Sequence, residues 1–474
     1  MASHNKPNGV NNAEFNRAVI DSLRVTRLFF SGADIHYISL ATPVTISQGG
    51  LYIVNESVTP ATTAQPLISV TTTASVVIHG EGQTINTSAL PAAAQIITTV
   101  AGSNVQMIGL DWLGRATGTQ VLVQTVDSGS FLMTWCRVKD YATGVRLTGA
   151  NSQDITGANN HFERVNRCFE QVDGASCNDL TLVSNHARTP YTGLLGYLAY
   201  LRGTCINCTT AQNKLTNMHV YCYNCTNCNI EYNKVFDNVA APSDNIAFIC
   251  GGDATPSAPT NPGADLGCTN CNIQGNQVTQ INIPPGAFFA YGAVLCMYSK
   301  NCWIRDNQVR VEEPTKTTVA AAITTSYCDS CTHENNKISG VGMLAEFGCD
   351  VYDLNIPCRS TVFKGAVVSG FTSGLCAFRC TGVKVVDCHI SDCEGGILCS
   401  EGVQNCEVRD CSVSNCTAFG LFNGVLVAGP GKPFTDPFAA PPVNTNLINN
   451  GFHGTVGGIS QPVPTVMTGF NVVN

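Results

Sequence analysis

The stretch CTNCNIEYNKV, Cys225–Val235, returns as CTNCNIQGNQV at Cys268–Val278. Each copy opens with a Cys-x-x-Cys, which could hold a metal, exchange disulfides or fill a core. The surrounding residues separate these readings. With the second cysteine as position 0, apolar residues stand at +2 and +7 and asparagine at +5. The same frame opens at Cys208, Cys302 and Cys331, and in weaker form at Val105, Phe131, Ile155, Leu180, Val383 and Cys406. Successive starts lie mostly 20 to 31 residues apart, and one step of 43 contains the Pro/Gly/Asp-rich segment 240–267. A short period with insertions of variable length at one place marks a solenoid.

Spacing inside the frame says which solenoid. Positions 0 and +2 alternate as a strand requires, while +5 and +7 do so with the opposite parity, so a turn lies at or just before the asparagine. Asparagine accepts left-handed backbone geometry, and its amide can bond to the same residue one winding above and below. The frame therefore predicts a ladder of Asn160, Asn185, Asn213, Asn233, Asn276, Asn307 and Asn336, with Cys136, Cys388 and Cys411 substituting toward its ends. Short strands, a period in the twenties and stacked identical residues point to an all-β parallel β-helix.

The same register bears on the cysteines. The second of each pair occupies the place held by Phe131, Ile155 and Leu180 in other windings, and so reads as a small buried hydrophobe. Cys205/Cys208 and Cys225/Cys228 on adjacent windings would offer four sulfurs to zinc. Register favours the core, and neither a metal nor a cofactor is expected. The 25 cysteines are odd in number and spread through a long chain, unlike the disulfide framework of a small secreted domain.

Composition limits the partners. Of 474 residues only 12% are charged and 44% are hydrophobic, and the net charge of −8 comes without a Lys/Arg cluster. Nothing is therefore on offer to a nucleic-acid backbone or an anionic membrane surface. The opening MASHNKPNGVNN has no apolar signal core, and no run of apolar residues is long enough to span a bilayer. The chain is expected to be made in the cytoplasm without a signal peptide or membrane insertion.

An exposed first winding would be an open sheet edge, and the N-terminus supplies a cover for it. Asn11 and Glu14 have capping-box spacing, and Phe15, Ala18, Val19, Ser22 and Leu23 form one helical face. RLFFSGADIHYIS follows from Arg27, PVTIS from Pro43 and VVIHGEGQTI from Val76. This order of helix, strand, glycine turn, I-x-Y-I-S and G-E-G-x-T-I resembles the N-terminal region of the pectate-lyase-like (pectin-lyase-fold) superfamily, in the branch of phage tailspikes and polysaccharide depolymerases. The likeness covers about the first 85 residues, and the winding frame extends it to about residue 425.

The resemblance implies a right-handed parallel β-helix with a short N-terminal capping helix. Residues 1–34 would form the arm and capping helix, 35–427 the β-helix, and 428–474 a Pro/Gly-rich linker and C-terminal β tail. It further implies a viral or phage-like structural or adhesion protein, a homotrimeric spike or virion-surface component whose side loops contact a polysaccharide or cell-surface glycan. Whether it is an enzyme stays open. Polygalacturonase-like members carry an Asn-Thr-Asp motif, a paired Asp and a Gly-His-Gly, of which only Phe452-His453-Gly454 is an echo here. The calcium-binding carboxylates and arginine of pectate lyases have no matching run.

The alternative is a polysaccharide lyase or glycoside hydrolase using outer-face carboxylates. Asp387 and Asp410 both stand at +4 in neighbouring frames, so they stack outward about 5 Å apart, with His389 near enough to move a proton. The plain reading is that they are solvated turn residues neutralised by Arg409. Asp237 with Asp244, Glu312 with Glu313, His161 with Glu163, and Asp350 with Asp353 are further groove candidates without diagnostic spacing. His333-Glu334 lacks the second histidine of a zinc-hydrolase helix and reads as structural. Among the long insertions lie Tyr191, Tyr197, Tyr200, Phe288, Phe289 and Tyr291, either a sugar-stacking platform or aromatics covered by a loop or a second subunit.

Overall fold

The computed structural model describes residues 34–473 except 62–65, 190–195, 239–246, 252–266, 282–292, 298, 313–320, 327, 350–357, 379, 401, 425–442, 455–458, 461–464 and 469–471. The expected capping helix lies outside the described residues. Among those residues there is no α-helix. The chain divides into two compact units, the first reaching Thr189 and including 196–205 and 211–214, the second holding 206–210 and everything from Leu215 onward.

In the first unit the strands form three parallel stacks. One runs Gly50–Val54, Ser75–Asn86, Asn104–Leu113, Ser130–Thr134, Ser152–Ala158, Ser176–Val183, each paired parallel with the next, with one register shift between His79 and Gln83. Its inward column is Val105, Phe131, Ile155 and Leu180, each fully buried. Burying such a side chain stabilises by roughly 1.5–3 kcal/mol, so one such residue per winding repays the alternation that places it there. The other two stacks meet in the long strands Arg137–Thr148 and His161–Gln171, whose two halves pair with different partners.

The second unit repeats the plan, with one stack made of three-residue rungs beside long strands such as Lys337–Cys349 and Val367–Phe378. Asn229–Glu231, Asn272–Gln274, Trp303–Arg305, Thr332–Glu334, Val362–Lys364, Lys384–Val386 and Glu407–Arg409 pair in order, all parallel. The winding opening at Thr361 is not among the frames read from the sequence; it has threonine at 0 and alanine at +5. Its Thr361, Phe363, Ala366 and Val368 are nevertheless buried like their equivalents. His333 stands at +2, in the column of Ile304 and Phe363, fully buried with its ring 4.7 Å from that of Phe363.

The frame asparagines bond along the stack. In the first unit the backbone and side-chain amides of Asn160 both donate to Asn185 Oδ1 at 3.0 Å, and those of Asn185 to Asn213 Oδ1 at 2.8 and 3.1 Å. In the second the same double donation runs from Asn233 to Asn276, to Asn307 and to Asn336. The Cys136 amide donates to Asn160 Oδ1, so this cysteine takes the frame place without continuing the chain of amides. The left-handed residue is the one before, at +4: Asn159, Ser184, Tyr232, Asp306 and Asn335 have φ of 53–56°. The ladder position is thus selected by its side-chain amide, not by backbone tolerance.

Register continues beyond residue 427, where a non-coil tail was expected. Thr445–Ile448 and Gly451–His453 pair with Glu407–Arg409 and Ser412–Ser414, and Asn450 Oδ1 accepts from the Cys411 amide at 3.1 Å. TNLINNGF from Thr445 fits the frame; the Pro/Gly-rich insertion ahead of it hides the period.

Candidate functional site

A cluster of ion pairs lies on the first unit, on strands Arg137–Thr148, His161–Gln171 and Gly196–Leu201 and beside them. Register sets Arg146, Glu170 and Tyr200 in one cross-strand row and Thr143, Arg167 and Tyr197 in another. Val145, Phe169 and Ala199 are buried beneath. Parallel pairing with no slip therefore brings together residues 21 to 57 positions apart in the chain.

Glu170 is the hub. Arg146 Nε donates to its Oε2 at 2.8 Å, Thr143 Oγ1 donates to the same oxygen at 3.0 Å, and Arg167 Nη1 donates to Oε1. Burial opposes its charge, yet Arg146 through hydrogen bond and charge, and Arg167 through charge, outweigh that and hold the carboxyl below the usual carboxylate range. The Arg167 guanidinium also lies 4.4 Å from the centroid of the Tyr200 ring, with Arg202 at 6.0 Å and the Tyr197 ring 4.7 Å away, tilted by 47°. Arg202 is in turn held by Asp173 at 2.9 Å. Tyr197 and Tyr200 are half-buried, each leaving part of a ring to solvent.

A second cluster occupies the N-terminal halves of Arg137–Thr148 and His161–Gln171 and the strand His186–Arg188 paired beside them. Arg164 grips Asp140 with both guanidinium arms and reaches Glu163 at 3.2 Å, while Arg188 and Lys139 stand 3.2 and 3.6 Å from Glu163. His161 and His186 meet edge to face at 4.8 Å. Burial, then His186, Arg137 and Arg188, push the His161 imidazole down to about 4, so it is neutral near pH 7. Burial opposes the Glu163 charge as well, but Arg188, Lys139 and Arg164 hold it ionised. Neither Glu163 nor Glu170 is kept protonated as a general acid would be.

The other candidates fall elsewhere. Asp387 and Asp410 occupy equivalent exposed positions on consecutive windings, both left-handed with φ of 58° and 54°, their amides donating to Arg409 O and Ile448 O. They fill the +4 turn site that any short polar residue can take, and Arg409 stands 3.9 Å from Asp410. His389 is exposed on the rung beside Ser412. Asp237 points inward, where its Oδ2 meets His219 Nε2 and Gln280 Nε2, each at 3.1 Å, so it lines no outer groove. Glu312 pairs with Arg310. Tyr191, Phe288, Phe289, Tyr291, Asp244, Glu313, Asp350 and Asp353 lie outside the described residues.

Arg146, Arg167, Glu170 and Arg202 went unnoticed in the sequence. The signal for Arg167 and Glu170 is HFERVNRCFEQ, 161–171, a strand with four charges in a chain that has few; Arg146 and Arg202 lie outside it. A second missed motif is the Asn-Cys dipeptide. Asn207, Asn227, Asn270 and Asn301, each left-handed, precede the frame cysteine and bond to one another outside the stack at 3.2–3.4 Å. This asparagine turns the chain between the two cysteines of each CTNC, which face inward across one corner. Every cysteine whose side chain is described is buried and unbridged, and burial pushes the Cys136 thiol up to about 12. Among the described residues, the groups close enough to hold a metal ion are two trios of these core sulfurs.

The family model described as "Right handed beta helix region" matches residues 315–425. The fold is a right-handed parallel β-helix. Right-handed crossovers are also what nearly all parallel connections adopt. Similar solved structures include the tailspike protein of E. coli bacteriophage HK620 in complex with a hexasaccharide, at 12% identity, TM-score 0.40, over 96% of this chain and 77% of that one. The A-module of an Azotobacter vinelandii mannuronan C-5 epimerase matches at 10% identity, TM-score 0.35, over 90% and 91%. A Streptococcus pneumoniae surface protein and adhesin matches at 11% identity, TM-score 0.35, over 98% of both. These likenesses concern the fold alone. No curated protein sequence matches the chain.

Proposed function

We propose that the protein is a non-catalytic, adhesion-type β-helix that binds glycans on the outward face of strands Arg137–Thr148, His161–Gln171 and Gly196–Leu201. The observation that carries this is the half-buried Tyr197/Tyr200 pair with the Arg167 guanidinium over the Tyr200 ring. Aromatic faces stack on sugar rings, and fixed guanidiniums donate to hydroxyls or carboxylates beside them. Glu170 holds Arg146 and Arg167 in place, so donors and rings are set before a ligand arrives, which lowers the ordering cost of binding. The contact surface on this reading is the strand face, not the side loops. The setting we infer is a homo-oligomeric spike or virion-surface component, on the strength of the N-terminal sequence resemblance.

Cleavage is disfavoured by the same electrostatics, since a hydrolase of the two-carboxylate type needs one acid held protonated. Asp387 and Asp410 are accounted for by their turn geometry. The test is a panel of neutral and uronate-containing oligosaccharides, read both for binding and for new reducing ends or unsaturated uronates. Binding without product is expected, weakened at least tenfold in Tyr200→Ala and Arg167→Ala, about 1.4 kcal/mol. Product from any glycan, or binding indifferent to both substitutions, sinks the reading.

A further inference from the structure

We infer that the core of the second unit holds a two-ion site for a soft monovalent metal, copper(I), built from Cys208, Cys222, Cys228, Cys250 and Cys271. This goes beyond the glycan reading and does not depend on it. The sulfurs of Cys208, Cys222 and Cys228 all lie within 4.8 Å of one another, as do those of Cys228, Cys250 and Cys271. All five residues are fully buried. Strand register produces the clusters: Cys222 pairs with Cys250, and the rungs after Cys228 and Cys271 pair through Asn229 and Asn272. Two inward columns of cysteine thus meet across one corner, and Cys228 belongs to both trios.

A metal at the centre of such a triangle is at most ~2.8 Å from each sulfur, against roughly 2.3 Å for a metal–thiolate bond, so small side-chain rotations close it. Three sulfurs suit copper(I), a soft ion; zinc prefers a closed set of four. An apolar core also excludes the water that would complete a harder ion's shell. Sulfur direction separates Cys228 from the cysteines that settle on backbone, although Cys271 still lies 3.7 Å from Thr269 O, and Cys399 and Cys406 face each other at 3.3 Å outside both trios. Cys388, Cys393 and Cys411 settle on the carbonyl two residues earlier, at 3.2–3.3 Å. Cys228 instead points its sulfur at that of Cys222, 3.7 Å away. On binding, each coordinating thiol releases its proton to solvent as its sulfur–copper bond forms, and Cys228 bridges the two ions. Copper enters and stays as copper(I), so no electron is transferred.

The experiment uses the full chain, reduced and without oxygen, mixed with copper(I) supplied as its acetonitrile complex and challenged with a copper(I) chelator. The readouts are the copper-to-protein ratio after gel filtration and the ultraviolet sulfur-to-copper charge-transfer absorption. Two ions per chain are expected, falling to none in Cys228→Ala and to one in each of Cys208→Ala and Cys271→Ala. Cys416→Ala, a buried thiol outside both trios, keeps two. If Cys228→Ala does not fold, the two single-trio variants decide. No retained copper in the folded parent, ratios unchanged in those variants, or retention of zinc(II) in preference to copper(I) overturns the assignment.

Discussion

The two units run one winding frame on different cores. In the first, position 0 is Val105, Phe131, Ile155 and Leu180, large side chains that each span part of the interior. In the second it begins as an unbroken run of Cys208, Cys228, Cys271, Cys302 and Cys331 before Thr361 and Val383 take the place, and the neighbouring inward positions beside that run add Cys222, Cys250 and Cys296 with Cys225, Cys268 and Cys328. Several small polarisable groups there replace one large apolar group. The lesson is that a parallel β-helix fixes the spacing of its rungs but leaves the volume of each column open, as long as neighbouring columns compensate. The outer surfaces diverge too. The long paired strands Arg137–Thr148 and His161–Gln171 of the first unit assemble the Arg146–Glu170–Arg167 network, whereas the three-residue rungs Thr332–Glu334 and Val362–Lys364 of the second give an isolated pair, Lys364 with Glu334.

What both units share is the asparagine position, and breaking it should have the largest effect. Asn276→Ala removes the bonds from the two Asn233 amides and those to Asn307 and Ile230 O, leaving buried groups unpaired. A loss of about 4 kcal/mol is expected in denaturant unfolding. Asn270→Ala, on the exposed outer row at φ 54°, should cost only about 1 kcal/mol, the penalty of a left-handed alanine. Equal losses would mean that the inner amides carry no special share.

Exchanging the position-0 residues probes the cores directly. Phe131→Cys opens a cavity in the first unit and should cost about 3 kcal/mol; Cys271→Phe overpacks the second by about 2 kcal/mol. The difference between the units would be refuted if either substitution were neutral in the same unfolding measurement.

The smallest effect concerns pH and belongs to the first unit. His161 titrates lower in the folded chain than in the unfolded one, so between about 4 and 6.5 the unfolded state binds more protons. Its stabilising contribution is present above pH 6.5 and is lost as pH falls toward 4. Because the ring is partly exposed, about 1–2 kcal/mol remains after allowing for solvent screening. His161→Gln should flatten the stability profile across that window, and an unchanged slope would assign the acid sensitivity to other groups.

Legibility followed the range of each interaction. A repeated Cys–Asn frame was readable because each winding repeats the same local constraint, and burial of the cysteines followed from register. The winding at Thr361 and the rungs at 445–453 were missed where a residue swap or an insertion broke the pattern while leaving side-chain volume suitable. Asp387 and Asp410 drew notice through spacing that the left-handed turn imposes on its own. Glu170 and Arg167 stand in a charge-rich strand, but nothing local says that Arg146 meets them.

The sequence by itself determined that the chain winds, where each strand turns, and which side chains face inward, because alternation and turn chemistry act within a few residues. Only the tertiary structure decided which residues from different windings meet: the arginines around one glutamate, and the sulfurs drawn into trios. Those encounters depend on how many residues each insertion adds between rungs and on how the columns share the interior, quantities set by packing across the stack.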